Sequence, residues 1–178
     1  MKKYFKSILA VSLISVSIIS CNSDDGDNEF YNNTLNYESL TSFSTYYLKN
    51  IQAEKPIDLT GNGISSVDVY NQLENCKKDD VYHFINQQNT ISNGNYAYVN
   101  DEGDTKCDAT DNQRVSEGTF VLNGKTLTMK DIHTNSDKVF QNVQLSKFRG
   151  ADGTTEARLT FDYYINNVKV TYTLESVK

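Results

Sequence analysis

The chain of 178 residues contains no tryptophan, one proline and only two histidines. His83 and His133 stand fifty positions apart, and the sequence has no Gly-x-Ser-x-Gly, His-Glu-x-x-His or Cys-x-x-Cys motif. These short motifs hold a nucleophile or a zinc ion in the geometry that catalysis needs. Because the sequence lacks all of them, we expect a protein that is not an enzyme.

Basic residues are scarce beyond the first twenty positions. The chain has 17 Lys and Arg and 23 Asp and Glu, a formal charge of −6. The first twenty residues contribute Lys2, Lys3 and Lys6 and no acid, so the remainder carries (17 − 3) − 23 = −9. An acidic chain without a basic stripe is repelled by phosphates. We therefore expect no nucleic-acid partner.

The one long apolar run is Ile8–Ile19, twelve uncharged residues behind a basic start. A membrane span needs about twenty such residues, so this run is too short to be one. Its length and its basic flank are typical of an export signal, which we place at residues 1–20. A transmembrane anchor is the alternative, but no stop-transfer charge or longer apolar run follows.

The end of this run, Ile18-Ile19-Ser20-Cys21, resembles the lipobox of bacterial lipoproteins. The resemblance implies a diacylglycerol on the Cys21 sulfur and an acyl chain on its new amine. Several buried chains give near-permanent attachment, since each buried methylene contributes about 0.8 kcal/mol. The resemblance thus implies a membrane partner, reached through the lipid on Cys21.

Residues 21–36 follow as a polar segment whose first part, Asn22-Ser-Asp-Asp-Gly-Asp-Asn-Glu29, has no apolar residue. Such a composition cannot form a core, so we interpret residues 21–36 as a flexible tether and residues 37–178 as the folded domain. An acidic run behind the lipidated cysteine is similar to the signal that sends some Gram-negative lipoproteins to the outer face of the outer membrane. The alternative is a merely solvated linker.

Three cysteines are present, and assigning Cys21 to lipid leaves Cys76 and Cys107 as a pair. Export leads to an oxidising compartment, where two remaining cysteines favour a disulfide. A bridge across 107 − 76 = 31 positions would stabilise the fold by roughly 3–4 kcal/mol. Metal ligation is the alternative, but neither histidine lies near either cysteine in the sequence.

Hydrophobic residues alternate with polar ones from about Asp80 to the end, with turn signals about every ten residues. This rhythm predicts an all-β protein with about eight mostly sequential strands. We expect a single up-and-down antiparallel barrel, because closure removes exposed edges, with a two-sheet sandwich as the alternative. The alternation on one strand, for example, places Val139, Gln141, Val143 and Leu145 on one face.

Local signals add turns and a helix to this barrel. Asn123-Gly124 suits a two-residue type I′ hairpin, and Asn166-Asn167 turns the chain between two late strands. Thr45–Ile51 is a candidate first strand. Ser66–Glu74 spaces apolar residues as a short helix before the second strand would, with Ser66 as its cap.

One loop has part of the pattern of a calcium site. Asp58, Thr60 and Asn62 occupy the first, third and fifth positions, and Gly63 occupies the sixth, where a calcium loop makes its sharp turn. Asp68 follows as a further candidate ligand. The same composition also suits an ordinary turn, with hydrogen bonds from the Asp58 side chain to its own loop.

The twelve tyrosines stand out, and several alternate along predicted strands. Plain β propensity explains aromatic residues on pleated surfaces. If they line a cavity, they offer flat faces and hydroxyls to an amphipathic ligand. The candidate ligand-binding residues are Tyr96, Tyr98, Phe120, Phe161, Tyr163 and Tyr172.

Six short segments together resemble the bacterial lipocalin-like domain lipoprotein family. They are Asp58-Leu-Thr-Gly-Asn-Gly-Ile64, Cys76-Lys-Lys-Asp-Asp80, Tyr82-x-Phe84, Lys106-Cys-Asp108, Glu117-Gly-Thr-Phe120 and Leu122-Asn-Gly-Lys-Thr-Leu127. The family usually has tryptophan where this chain has Phe120. The resemblance implies a calyx-like barrel on a lipid tether, with a ligand that is undefined for most members. We expect no cofactor other than the calcium ion that the Asp58 loop would hold.

Two functions are consistent with these observations. The first is a membrane-anchored barrel that binds a small hydrophobic or amphipathic ligand. The second is a non-catalytic surface protein that acts through protein or glycan contacts with a solidly packed barrel. An eight-stranded barrel permits either, because its interior is just wide enough to be filled by side chains or to hold one ligand.

Overall fold

The computed structural model describes residues 31–32, 35–89, 92–100 and 114–176, with only the backbone of residues 31–32, 87–89, 92–94 and 114–115. The predicted signal peptide, Cys21 and Cys107 lie outside the described residues. Within the described part, no helix is both long enough and apolar enough to cross a membrane. Tyr31–Asn32, inside the predicted tether, pair with a barrel strand, so folded structure begins before residue 37.

Ten strands and three short helical segments make up the described part. In chain order they are β1 (Tyr31–Asn32), α1 (Tyr37–Phe43), β2 (Thr45–Ile57), β3 (Ser66–Asp68), a 3-10 helix (Tyr70–Gln72), α2 (Asn75–Lys78), β4 (Val81–Asn89), β5 (Ser92–Asn100), β6 (Arg114–Asn123), β7 (Thr126–Asp131), β8 (Ser136–Arg149), β9 (Thr155–Ile165) and β10 (Val168–Glu175).

Eight of these strands close into an antiparallel barrel. Each of β4 to β9 pairs with the next strand in the sequence, β2 pairs with β4, and β10 returns to pair with β2. The remaining two strands add to this ring, β1 on β8 and β3 on β2. The predicted all-β, up-and-down barrel is therefore confirmed, and the sandwich alternative is wrong.

The two hairpin turns predicted from the sequence differ in their backbone conformation. Asn166 and Asn167 both have positive φ, 51° and 62°, between the paired residues Ile165 and Val168, as a type I′ turn requires. The other hairpin turns one residue later than predicted, at Gly124-Lys125. Only Gly124 has a positive φ there, 57°, which is the pattern of type II′ with glycine at the first central position.

The predicted helix over Ser66–Glu74 begins too early. Ser66–Asp68 are extended as β3, and the Val69 amide donates to the Ile51 carbonyl of β2 at 3.0 Å. That bond uses a backbone N–H group that a helix would need for its own hydrogen bonds. Pairing with β2 therefore decides the conformation here, although the apolar residues are spaced as in a helix. The Ser66 hydroxyl accepts a bond from the Asp68 amide, which is a local turn rather than a helix cap. The short helix before the second barrel strand is α2.

Helix α1, which has no counterpart among the sequence-based predictions, closes one end of the barrel. A capping box between Asn36 and Ser39 begins it. Its Leu40 is fully buried, and the Leu40 carbonyl accepts a bond from the Tyr46 hydroxyl at 2.9 Å. The Tyr37 hydroxyl accepts a bond from the Leu122 amide at the end of β6. We call this the α1 end, and the other end, where β5 ends and β4 begins, the far end.

Candidate functional site

A cavity of about 230 Å³ lies inside the half of the barrel nearer the far end. Its walls combine large rings with small side chains, and this difference in size creates the space. Ala97, Val99 and Ser116 on β5 and β6 leave room opposite the rings of β9 and β10. The rings that line it are Tyr82, His83, Phe84, Tyr98, Phe140, Phe161, Tyr163 and Tyr172.

Contacts among these rings hold the aromatic wall in place. Phe161 stacks on Tyr172 with ring centroids 5.2 Å apart, and it meets Phe140 at 4.7 Å in a tilted arrangement. Tyr163 packs against Phe140 at 5.6 Å. Offset and tilted aromatic pairs are favourable geometries, so the wall is a pre-formed apolar surface.

Three tyrosine hydroxyls belong to this wall. Burial raises the pKa of Tyr82 well above its usual value, with smaller contributions from Tyr172 and Asp80. Burial likewise raises the pKa of Tyr172 to about 12, assisted by Tyr163 and Asp80. No side chain or backbone group of the described residues hydrogen-bonds to the hydroxyls of Tyr82, Tyr163 or Tyr172. Tyr82 and Tyr172 therefore stay neutral at ordinary pH, and all three hydroxyls keep their O–H donors available.

A polar cluster of Ser116, Asp131 and Lys138 adjoins the cavity. The Ser116 hydroxyl donates to Asp131 Oδ2 at 2.5 Å, and Lys138 Nζ donates to Ser116 Oγ at 2.9 Å. Lys138 Nζ also lies 3.3 Å from Asp131 Oδ2. The other carboxylate oxygen accepts the amides of His133 and Thr134. Ser116 and Lys138 line the cavity, whereas Asp131 lies behind them with only 1% of its surface exposed.

The pKa of Asp131 reflects two opposing effects. Burial favours the neutral acid, but the hydrogen bonds from Ser116, Thr134, His133 and Lys138 together outweigh it and hold the pKa well below its usual range. The carboxylate is therefore ionised and fully bonded. Asp131 closes the β7–β8 hairpin while it fixes the position of the Lys138 ammonium.

Four of the six predicted ligand-binding residues point into the barrel. Phe161, Tyr163 and Tyr172 line the cavity. Phe120 packs instead in the core towards the α1 end, where its ring lies 5.5 Å from Phe84 and 5.8 Å from Tyr37. The alternation of β9 and β10 thus predicted part of the cavity wall correctly.

Tyr96 and Tyr98 lie on the outer face of β5, which corrects their predicted inward position. Ala97 and Val99, the alternate residues, are the buried ones. The Tyr96 hydroxyl donates to Glu117 Oε2 at 2.7 Å. Tyr98 nevertheless lines the cavity, as predicted, together with His83, on which its ring stacks at 4.4 Å. Large aromatic residues suit either face of a sheet, so their size alone could not assign the inner face.

Lys138 and Phe140 were missed because β8 contains a bulge. The pairing of β8 with β9 shifts between Gln141 and Gln144, and Asn142 has a positive φ of 51°. A bulge inserts one residue and reverses the side-chain alternation beyond it. Val143 is consequently buried, whereas Val139, predicted on the same face, is 41% exposed. The asparagine within the strand is the one sequence signal of this reversal.

The predicted calcium loop has its oxygens occupied by protein donors. The Asp58 carboxylate accepts the amides of Thr60, Gly61, Asn62 and Gly63, and the bond from Gly63 contributes most to the lowered pKa of Asp58. Asn62 Oδ1 accepts the amide of Ile64. The Asp68 carboxylate accepts both the backbone and side-chain N–H groups of Asn71.

These bonds fit the turn interpretation of the loop. Among the residues that the structure describes, no three His, Cys, Asp or Glu side chains are grouped so that they could hold a metal ion. Calcium binding by Asp58, Thr60, Asn62 and Asp68 stays a prediction.

The predicted disulfide is compatible with the strand order. Cys76 is buried in α2, five residues before β4 begins at Val81. Cys107 follows the end of β5 at Asn100 by seven residues and lies outside the described part. Because Val81 pairs with Asn100, both cysteines are connected to the far end of the barrel. Seven residues span up to about 23 Å, so the bridge is within reach.

We expect Cys76 and Cys107 to resist alkylation in the non-reduced, denatured protein and to react after reduction. Replacing both by serine should lower the free energy of unfolding by about 3–4 kcal/mol, since the unfolded chain regains loop entropy. Mass spectrometry of alkylated peptides measures the first effect, and denaturant titration measures the second. Two free thiols before reduction would contradict the bridge.

No family model matches the chain, and no curated protein or solved structure is similar enough to indicate its family. The resemblance to lipocalin-like lipoproteins therefore stays a prediction. A function for this protein has to be inferred from the geometry of the barrel and its cavity.

Proposed function

We propose that this protein is a lipid-anchored, non-catalytic barrel of the outer membrane that binds one small amphipathic molecule. The observation that carries the binding role is the cavity of about 230 Å³ with its aromatic wall and unbonded phenols. An apolar wall supplies affinity by removing ligand surface from water, and a few polar groups orient the ligand. The cavity combines both features.

The size of the cavity limits the ligand. An engineered protein cavity of about 150 Å³ holds benzene, whereas sites for drug-sized molecules measure about 300–1,000 Å³. The value of about 230 Å³ lies between these limits. A single ring with a short side chain fits, and a long acyl chain does not fit without expansion of the barrel.

We expect Ala97→Leu to weaken the binding of a one-ring probe such as hydrocinnamyl alcohol at least tenfold. Ala97 is 2% exposed and lines the cavity, so a leucine there occupies the volume that the probe needs. The protein should be the full chain in lipid nanodiscs, with empty nanodiscs subtracted for partition of the probe. Ligand-observed NMR measures the affinity, and a tenfold loss corresponds to about 1.4 kcal/mol.

Thr128→Leu is the matched control for this substitution. Thr128 lies on β7 between the inward residues Leu127 and Met129, so its side chain faces away from the cavity. It should leave binding unchanged. If the barrel is packed solid and acts through surface contacts, the wild type should bind no probe. In that case Ala97→Leu should destabilise the fold by about 1–3 kcal/mol through overpacking.

The anchoring half of the proposal depends on the sequence around Cys21. We expect radiolabelled palmitate to enter the wild-type chain in bacterial cells and not the Cys21→Ser variant, because the thioether to diacylglycerol forms on that sulfur. Gel autoradiography measures the label. Equal labelling of both chains would contradict the lipoprotein proposal.

A second experiment determines which face of the outer membrane carries the protein. Protease treatment of intact cells should degrade the wild-type protein if it lies on the outer face and leave it intact if it lies on the inner face.

A further inference from the structure

We propose that the cavity selects a small monocarboxylate, with the ammonium of Lys138 binding the carboxylate and the aromatic wall holding a ring or short chain. This inference rests on the proposed ligand-binding function and specifies the chemical class of the ligand. It depends on which polar atoms reach the cavity and which are already bonded.

The polar groups available to a ligand are mainly donors. An ammonium has three N–H donors, and Lys138 directs two of them at Ser116 Oγ and Asp131 Oδ2. One donor therefore remains, on a side chain that lines the cavity and is 35% exposed. The hydroxyls of Tyr82, Tyr163 and Tyr172 add donors without partners among the described residues. A carboxylate accepts several hydrogen bonds at once and matches this set.

The nearby carboxylate does not cancel the preference for an anion. Asp131 is 1% exposed, and both of its oxygens accept bonds from Ser116, Lys138, His133 and Thr134. It fixes the position of the ammonium but presents no surface to the cavity. The group that a ligand meets at this wall is therefore the cation, while the acid holds it in position.

The apolar part of the ligand has its own place beside Lys138. The rings of Phe140 and Phe161 lie 4.7 Å apart beside Lys138 and would take the apolar part of the ligand.

The test compares three probes that share one ring and chain: hydrocinnamate, hydrocinnamyl alcohol and phenylpropylamine. The full chain in nanodiscs should bind the acid about tenfold more tightly than the alcohol at neutral pH, because a hydrogen bond to a charged group is stronger than a neutral one. The amine should bind more weakly than the alcohol. Ligand-observed NMR with empty nanodiscs as the blank measures all three.

Two variants assign the preference to Lys138. Lys138→Met combined with Asp131→Asn should bind the alcohol as the wild type does and lose the tenfold preference for the acid. The double substitution removes both charges, because Lys138→Met alone would leave the buried Asp131 carboxylate without its cation and destabilise the fold. Lys138→Arg should keep most of the preference. Lys130→Met removes an exposed lysine of the neighbouring strand and should change nothing.

The outcomes separate the two proposals. If no probe binds, the proposed function fails together with this inference. If acid and alcohol bind equally, or the amine binds best, the cavity is a binding site but its selectivity for carboxylates is refuted. If the acid preference persists without Lys138, another group carries it and the assignment is wrong.

Discussion

Gly118→Ala should destabilise the barrel by about 3 kcal/mol or more. Gly118 is buried in β6 between Ala97 of β5 and Asp131 of β7. A Cβ atom there would overlap the backbone carbonyl of Lys130 and crowd the Asp131 backbone. Backbone atoms cannot rotate away as a side chain can, so the two strands must separate, at a cost at or above the usual 1–3 kcal/mol of overpacking.

Thermal unfolding measures this effect, with an expected fall in Tm of about 10 °C. Gly150→Ala is the matched control, because the nearest atoms to a Cβ there belong to the side chains of Glu156 and Asp152. It should cost less than about 1 kcal/mol, since those side chains can rotate. Equal losses for both variants would show that the close approach of β6 and β7 is not what requires glycine at position 118.

Asp131→Ala should be comparably severe, at about 3 kcal/mol, since each buried group left without its hydrogen-bond partner costs about 1–3 kcal/mol. The substitution leaves Lys138 without its buried carboxylate and removes the acceptor of the Ser116 hydroxyl and of two hairpin amides. Denaturant titration measures the change. Asp137→Ala, which removes an exposed acid from the neighbouring strand, should stay within about 0.5 kcal/mol. Equal effects at both positions would contradict the role assigned to Asp131.

The contribution of Asp131 should also depend on pH. Its folded-state pKa is depressed below the unfolded value of about 3.9, so the folded chain holds fewer protons there than the unfolded chain. The stabilisation is therefore complete above about pH 5 and is lost as the pH falls towards the folded pKa. The stability difference between wild type and Asp131→Asn should shrink steadily below pH 5. A difference independent of pH would rule out the ionised form.

The barrel could be predicted because its determinants are local. Alternating residues along β9 and β10 and the Asn166-Asn167 turn predict strands, a hairpin and its inner face without knowledge of the rest of the chain. The first strand at Thr45 was predicted in the same way, and the structure extends it to Ile57. The helix over Ser66–Glu74 was wrong at Ser66–Asp68, which pair with β2, a partner distant in sequence, and the helical part is Tyr70–Gln72.

The cavity could be predicted only in part. Phe161, Tyr163 and Tyr172 follow from alternation, but the inner face of β5 depends on its register with its neighbours. Ala97 takes the inward position and turns Tyr96 and Tyr98 outwards. Lys138 becomes a cavity residue only because the bulge at Asn142 reverses the faces of β8.

The sequence by itself determined the fold class, the strand order and the presence of aromatic residues on the inner faces of β9 and β10. Periodicity and turn chemistry act between neighbours in the chain, which is why one sequence suffices for them. Only the tertiary structure decided that a cavity exists and which charge borders it. The cavity exists because small side chains face large rings from strands far apart in the sequence. Here Ala97 and Ser116 lie opposite Phe161 and Tyr172. The position of the Lys138 ammonium likewise depends on Asp131. The β7–β8 hairpin brings Asp131 Oδ2 within 3.3 Å of Lys138 Nζ.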